Sequence, residues 1–390
     1  MLKLWKIEPD GRPVFVLCLL FFSGMWISKT IHPLWFEQNN ALPLFGLSYS
    51  VMALAGTTSF LLGPAAARLG LRHSMLLGSG LYTLGLLLRA FPFPAPAILS
   101  GLLAGIGASL ALLCIRLWVF DWSSESERAR ILSYTTLSGH LVRGVGILAI
   151  GGAIGALGGQ QVLVVVLCCV AALPFAGAVL VARHLPSTRP VSHRKEKTTL
   201  TSNQRTIAYV LVLNALFTGL LSSFILPYLP VLITRLGFQS GTAIMLVGLV
   251  SISVVLSQPV VNRLIETRGA FATYLISFAA CAVTVVCLDM PHSIALLAFV
   301  LMAFGITSNA RYLSEKNIEM SAIHRDHAAT VMGWLQSAFL LGDSLGGGLA
   351  GIAWVSKQPE VFLGWVALGL VLTGLLFAAT ISTLRLERSQ

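Results

Sequence analysis

Across 390 residues, 56% are hydrophobic and only 11% are charged, against roughly 45–50% and about 25% in an average soluble domain. That composition excludes a water-soluble enzyme, because there is too little polar surface to enclose so much apolar material. The net charge of +11 would suit a nucleic acid, yet the basic residues fall in short loops between apolar runs, so no nucleic-acid partner is expected.

Apolar runs long enough to cross a hydrocarbon core of about 30 Å as helices are predicted near residues 13–35, 44–66, 74–92, 97–119, 130–155, 161–182, 206–229, 242–262, 271–290, 293–313, 328–354 and 361–383. A helix satisfies its own backbone, which is the condition for crossing lipid. The first run is too long for a signal-peptide core and lacks a small-residue cleavage site, so it reads as a retained span. Lys3, Lys6, Arg12, Arg68, Arg72, Arg128, Arg130, Arg263 and Arg268 fall on one side of this layout. Lys29, Arg89, Arg235 and Lys357 fall on the other, and Arg143 lies inside a span. The positive-inside rule then places both termini in the cytoplasm, as a multi-pass protein of the cell (inner) membrane.

One long polar connection, residues 183–205, carries two prolines and a run of basic residues. It reads as a flexible cytoplasmic linker between an N-terminal six-helix half, 1–182, and a C-terminal six-helix half, 206–390. Sliding the chain against itself by 195 residues, half its length, aligns Phe22-Ser23-Gly24 with Phe217-Thr218-Gly219. The same offset aligns Pro64, Arg68 and Leu69 with Pro259, Arg263 and Leu264, and Arg116 with Arg311. The expected fold is all-α, with twelve transmembrane helices in two pseudo-symmetric halves and a substrate site between them near the bilayer midplane.

The loop after the second predicted span reads GPAAARLGLRH, with Gly63, Arg68, Gly70 and Arg72, and a weaker copy, QPVVNRL with Arg263, follows the eighth. Together with the run Glu125-Ser126-Glu127-Arg128 after the fourth span, these segments resemble the major facilitator superfamily, whose loop reads Gly-x-x-x-Asp-Arg-x-Gly. Ala67 stands where that family has its acid. The resemblance implies that Gly63, Arg68, Gly70, Arg72 and Arg263 latch the halves in one state of a transport cycle. It also implies that the first, fourth, fifth, seventh, eighth, tenth and eleventh spans line the cavity. The chain departs from the family's proton-driven exporters, with Gly101 in place of their fourth-span arginine and Ile147 to Gly152 in place of their Gly-Pro-x-x-Gly-Gly.

Ionisable groups inside spans cost several kcal/mol unless they face protein or water, so they are the candidate functional residues. Thr136, His140 and Arg143 are spaced i, i+4, i+7 and are expected on one face of the fifth span. In the first span Lys29 and His32 lie i, i+3, with Trp26 one turn before Lys29. The eleventh span carries Asp343, a midspan acid suited to proton coupling together with His140, and Gln336 two turns earlier. Asn214, Thr218, Gln258 and Asn309 are further polar candidates, with Asn214 assigned to the solute. Arg116, beside Asp121, and Arg311, one turn before Glu315, read as cytoplasmic gates or topology anchors.

Each has a structural alternative: Arg143, His140 and Asp343 can pair with neighbouring helices, and Lys29 can snorkel to the headgroups. The glycine clusters at 105–109, 146–155 and 346–351 lack the Lys-Ser or Lys-Thr of a phosphate loop and read as close helix packing.

Neither H-E-x-x-H nor G-x-S-x-G occurs, so no enzyme is expected, and the six cysteines lack metal-ligand spacing, so no cofactor, metal or disulfide is expected. Lys29 and Arg143, with His32 and His140, outweigh Asp343 in charge. That balance favours an anionic or zwitterionic organic solute, carried by a secondary transporter, symporter or antiporter, working by alternating access as a monomer in the lipid bilayer. A proton-coupled exporter of amphipathic drugs is the alternative. A remoter one is a membrane sensor without transport, for which the short tail after the last span gives no support.

Overall fold

The computed structural model describes residues 12–58, 62, 66, 68–122, 134–159, 161–184, 202–289, 293–323, 328–356 and 359–389. Gly63, Ala67 and residues 185–201 of the linker lie outside the described residues. Helices follow one another along the chain: α1 Arg12–Gln38, α2 Leu42–Thr57, α3 Leu71–Leu88, α4 Pro94–Trp122, α5 Tyr134–Leu157 and α6 Gln161–Val181. After the linker come α7 Gln204–Arg235, α8 Ser240–Arg268, α9 Ala270–Val286, α10 Ile294–Ala322, α11 Ala328–Ala353 and α12 Pro359–Ser389. No strand occurs among the described residues. Among the described residues, nine helices are long and apolar enough to cross a membrane, and α2 is a shorter apolar helix.

Large apolar side chains stay outward, as in Leu157, Val260 and Ile352, each at least 70% exposed. That is the arrangement expected of a protein solvated by lipid. Proline is tolerated inside such helices, as at Pro33 in α1 and Pro259 in α8, because packed neighbours re-satisfy the freed backbone groups.

Two compact units form. Unit 1 comprises Met1–His193 with Gln239–Gly248, and unit 2 comprises Arg194–Phe238 with Leu249–Gln390. The sequence division placed 239–248 in the second half. Those residues group with unit 1 because the glycines of early α8 lie against α5: a Cβ built on Gly248 would sit 2.9 Å from the Leu148 nitrogen, and one on Gly241 2.5 Å from Gly155 Cα. Unit 1 is centred on Leu17, Phe21, Tyr82, Leu86 and Ala111, with Phe21 stacked on Tyr82 at 5.1 Å. Unit 2 is centred on Leu211, Tyr274, Phe278, Leu335 and Phe377, with Tyr274 edge-on to Phe377 at 5.3 Å.

The repeat seen in the sequence recurs as local geometry. Gly70 precedes α3 at φ 79° and ψ 155°, and Gly269 precedes α9 at φ 82° and ψ 153°. That backbone region is open essentially to glycine alone, so the turn itself fixes the loop's glycine.

Candidate functional site

In unit 1, α1 presents Trp26 and Lys29 one turn apart on a helix face, as their i, i+3 spacing requires. The Lys29 ammonium donates to the Tyr49 hydroxyl of α2 at 3.3 Å, and lies 5.2 Å from the centre of that ring. It is also 5.6 Å from the centre of the Trp26 ring. The Arg143 guanidinium of α5 lies 4.5 Å from the same indole. One tryptophan thus serves two cations from two helices.

Among the described residues, no hydrogen bond or ion pair joins Arg143 to another side chain. A ring face stabilises a desolvated cation by roughly 2 kcal/mol. An ionised side chain in a span costs more than that on every scale. The difference leaves the guanidinium with an electrostatic demand for an anion and with donors in the planar fork that suits a carboxylate or phosphate.

The backbone around Arg143 has its own local cause. Residues Val142–Gly146 wind as a π-helical turn within α5, where Gly144 and Gly146 weaken the ordinary helix. Such turns are frequent at functional sites. The turn begins after Thr136 and His140, whose i, i+4 spacing on the helix is undisturbed. His140 is half-buried and within electrostatic reach of Arg143, whereas Thr136 is exposed.

His32, expected beside Lys29, turns into an aromatic pocket. Its ring meets Phe36 and Phe45 edge-on at 4.5 and 4.9 Å, and its Nε2 has no partner among the described residues. Arg89, read from the sequence as an outer topology residue, is 4% exposed. Its Nη1 donates to Ser28 Oγ at 2.9 Å and its Nη2 to Met52 Sδ at 3.3 Å. Nothing local in the sequence marks it: the residue simply follows α3, and only the folding of α3 against α1 and α2 turns it inward.

Unit 2 has a different chemistry. Glu315 of α10 is 2% exposed, and its Oε1 accepts from Asn214 Nδ2 at 2.7 Å and from Thr218 Oγ1 at 3.3 Å, both on α7. Arg311, one turn earlier, is also buried, with its Nη1 4.0 Å from Glu315 Oε2. Asn214, a sequence candidate for the solute, is therefore tied to a carboxylate that the sequence reading named only as a neighbour of Arg311. On α11, Asp343 is half-buried and Gln336 exposed.

Close α7–α11 packing sets that position: a Cβ on Gly219 would lie 3.0 Å from the Asp343 nitrogen, and one on Gly342 would strike the Leu216 carbonyl. Arg116 is exposed, unlike Arg311, although both occupy the same place in the repeat. Arg68, Arg72 and Arg263 are exposed as well.

The profile of the Major Facilitator Superfamily matches residues 14–347. Comparison with curated protein sequences returns no match. Among solved structures, the chain is similar to the nucleoside transporter NupG (TM-score 0.74, 17% identity, 96% of this chain and 99% of that one). It is also similar to the human organic anion transporter MFSD10 (TM-score 0.64, 16% identity, 95% and 100%) and to a bacterial homologue of the iron transporter ferroportin in an inward-facing state (TM-score 0.73, 13% identity, 95% and 98%). At such identities the likeness speaks for the fold alone, while the profile match spans most of the chain. Helices, loop glycines and profile agree: the chain belongs to the major facilitator superfamily.

Proposed function

We propose that this protein is a secondary active transporter that moves a small anionic or zwitterionic organic solute by alternating access. The observation that carries the reading is Arg143: an intramembrane guanidinium against an indole ring, with no acidic partner among the described residues. Lys29, over the same ring, adds a second positive charge, and His140 can share in holding the solute. In a low-dielectric site two such cations favour a negative group by a large margin over a positive one. The solute carboxylate or phosphate would accept from the Arg143 fork and the Lys29 ammonium, with Trp26 as an apolar platform between them.

The test is a counterflow screen in proteoliposomes with parallel pools of organic anions, zwitterions and lipophilic cations. The reading expects exchange confined to the first two pools. Exchange of lipophilic cations with no preference for anions would instead favour a proton-coupled exporter of amphipathic drugs, with Asp343 or His140 carrying the proton.

A further inference from the structure

Arg89 is the most deeply buried cation of unit 1, and its surroundings do not balance its charge. Among the described residues its side chain donates to two neutral acceptors, the Ser28 hydroxyl at 2.9 Å and the Met52 thioether at 3.3 Å, and forms no ion pair. A guanidinium has five N–H donors, and a thioether is a weak acceptor. The Arg89 Nε is buried and has no partner among the described residues.

The C-terminal end of α3, where Arg89 stands as the cap, offers a negative partial charge of about half an elementary charge, spread over its last carbonyls. That offsets part of a full buried charge and leaves the rest. The titratable groups within electrostatic reach are His32, Tyr49 and Tyr82. None of these side chains is an anion at neutral pH.

His32 points to the same need. It is 2% exposed, and its Nε2 has no partner among the described residues. On α1 it lies one turn after Ser28, so the two share a helix face. An imidazole carrying its proton on Nε2 is a donor there. From α2, Phe45, Tyr49 and Met52 occupy successive turns of one face, with Phe45 edge-on to His32 and Met52 on the Arg89 guanidinium. Two buried nitrogens without acceptors are thus enclosed by three helices of one unit.

We propose that Arg89, with His32, binds a small monovalent inorganic anion of the chloride class between α1, α2 and the end of α3. One halide neutralises one guanidinium, and a monatomic ion accepts from donors in any direction. A multivalent oxyanion such as sulfate or phosphate would bring excess charge into a pocket walled by Phe36, Phe45 and Met52, where an unbalanced charge is costly. Arg143 and Lys29 address the Trp26 ring instead. The halide site is therefore separate from the proposed solute site, and it stands whichever solute is carried.

The test is equilibrium binding of radioactive chloride to the full chain in lipid nanodiscs, at about pH 7 and at constant ionic strength, with gluconate as the replacing anion. The expected result is saturable binding that is lost in Arg89→Met and kept in Arg143→Ala. Bromide should compete, and sulfate should not. The unfolding temperature of the wild type should rise with chloride, as a ligand of the folded state requires, and that of Arg89→Met should not. Absence of saturable binding in the wild type overturns the proposal. Binding that survives in Arg89→Met and disappears in Arg143→Ala places the halide at the solute site and overturns it as well. If Arg89→Met does not fold, His32→Phe keeps the aromatic volume and removes the second donor. Chloride affinity should then fall by about tenfold, and an unchanged affinity overturns the proposal.

Discussion

The two units handle buried charge in opposite ways. In unit 1 the cations Lys29 and Arg143 rest on aromatic faces, and for Arg143 no carboxylate is within reach among the described residues. In unit 2 Arg311, Glu315, Lys316 and Glu319 form a charge-balanced group on one helix, tied to α7 through Asn214 and Thr218. A cation such as Arg143, stabilised by a ring face, retains its need for an anion, which the proposed solute would supply. A charge-balanced group has no such need. Equivalent positions in a repeated fold have thus diverged: Arg116 is exposed where Arg311 is buried.

The sharpest way to break the comparison is Arg143→Ala. Affinity for the exchanged anion should fall by about 100-fold, corresponding to the roughly 3 kcal/mol of a strong charge-assisted contact, with thermal stability unchanged. Arg143→Lys should lose most of the same affinity, since an ammonium cannot reproduce the planar fork. Equal losses of stability and binding would show Arg143 to be structural.

In unit 2 the expectation reverses. Asn214→Leu removes the shorter of two donors to the buried Glu315 carboxylate and should lower stability by about 2 kcal/mol, read as a lower unfolding temperature, while anion affinity stays within about twofold, inside the scatter of distant substitutions. Loss of binding with stability intact would instead make Asn214 a solute ligand.

Trp26→Leu keeps apolar bulk but removes the ring quadrupole, so anion affinity should drop by about tenfold as both cations lose their platform. Direct titration binding would resolve that step. The smallest effect is expected at Thr136→Val: the residue is exposed on α5, and both stability and anion affinity should move by less than about 0.5 kcal/mol, as for surface positions. A larger drop in affinity would return Thr136 to the site that its spacing first suggested.

Much of this architecture follows from the chain alone, because a span is a local property. Length and apolarity over some twenty residues decide it, and the loop motif that includes Gly70 is likewise visible in the chain. The candidacy of Arg143, Lys29 and Trp26 was legible for the same reason: charge within an apolar run is visible one residue at a time.

What the sequence could not decide was partnership. Tyr49 lies 20 residues from Lys29, Arg89 lies 61 from Ser28, and Asn214 lies 101 from Glu315. Helix spacing reports neighbours only one or two turns away. It therefore paired His32 with Lys29, where tertiary packing turns His32 among Phe36 and Phe45 instead. Nor does spacing foretell the π-helical turn at Val142–Gly146, which depends on how α5 packs. Which cation meets a ring, which meets a carboxylate and which is buried with a hydroxyl and a thioether are outcomes of how helices pack, and only the folded chain fixes them.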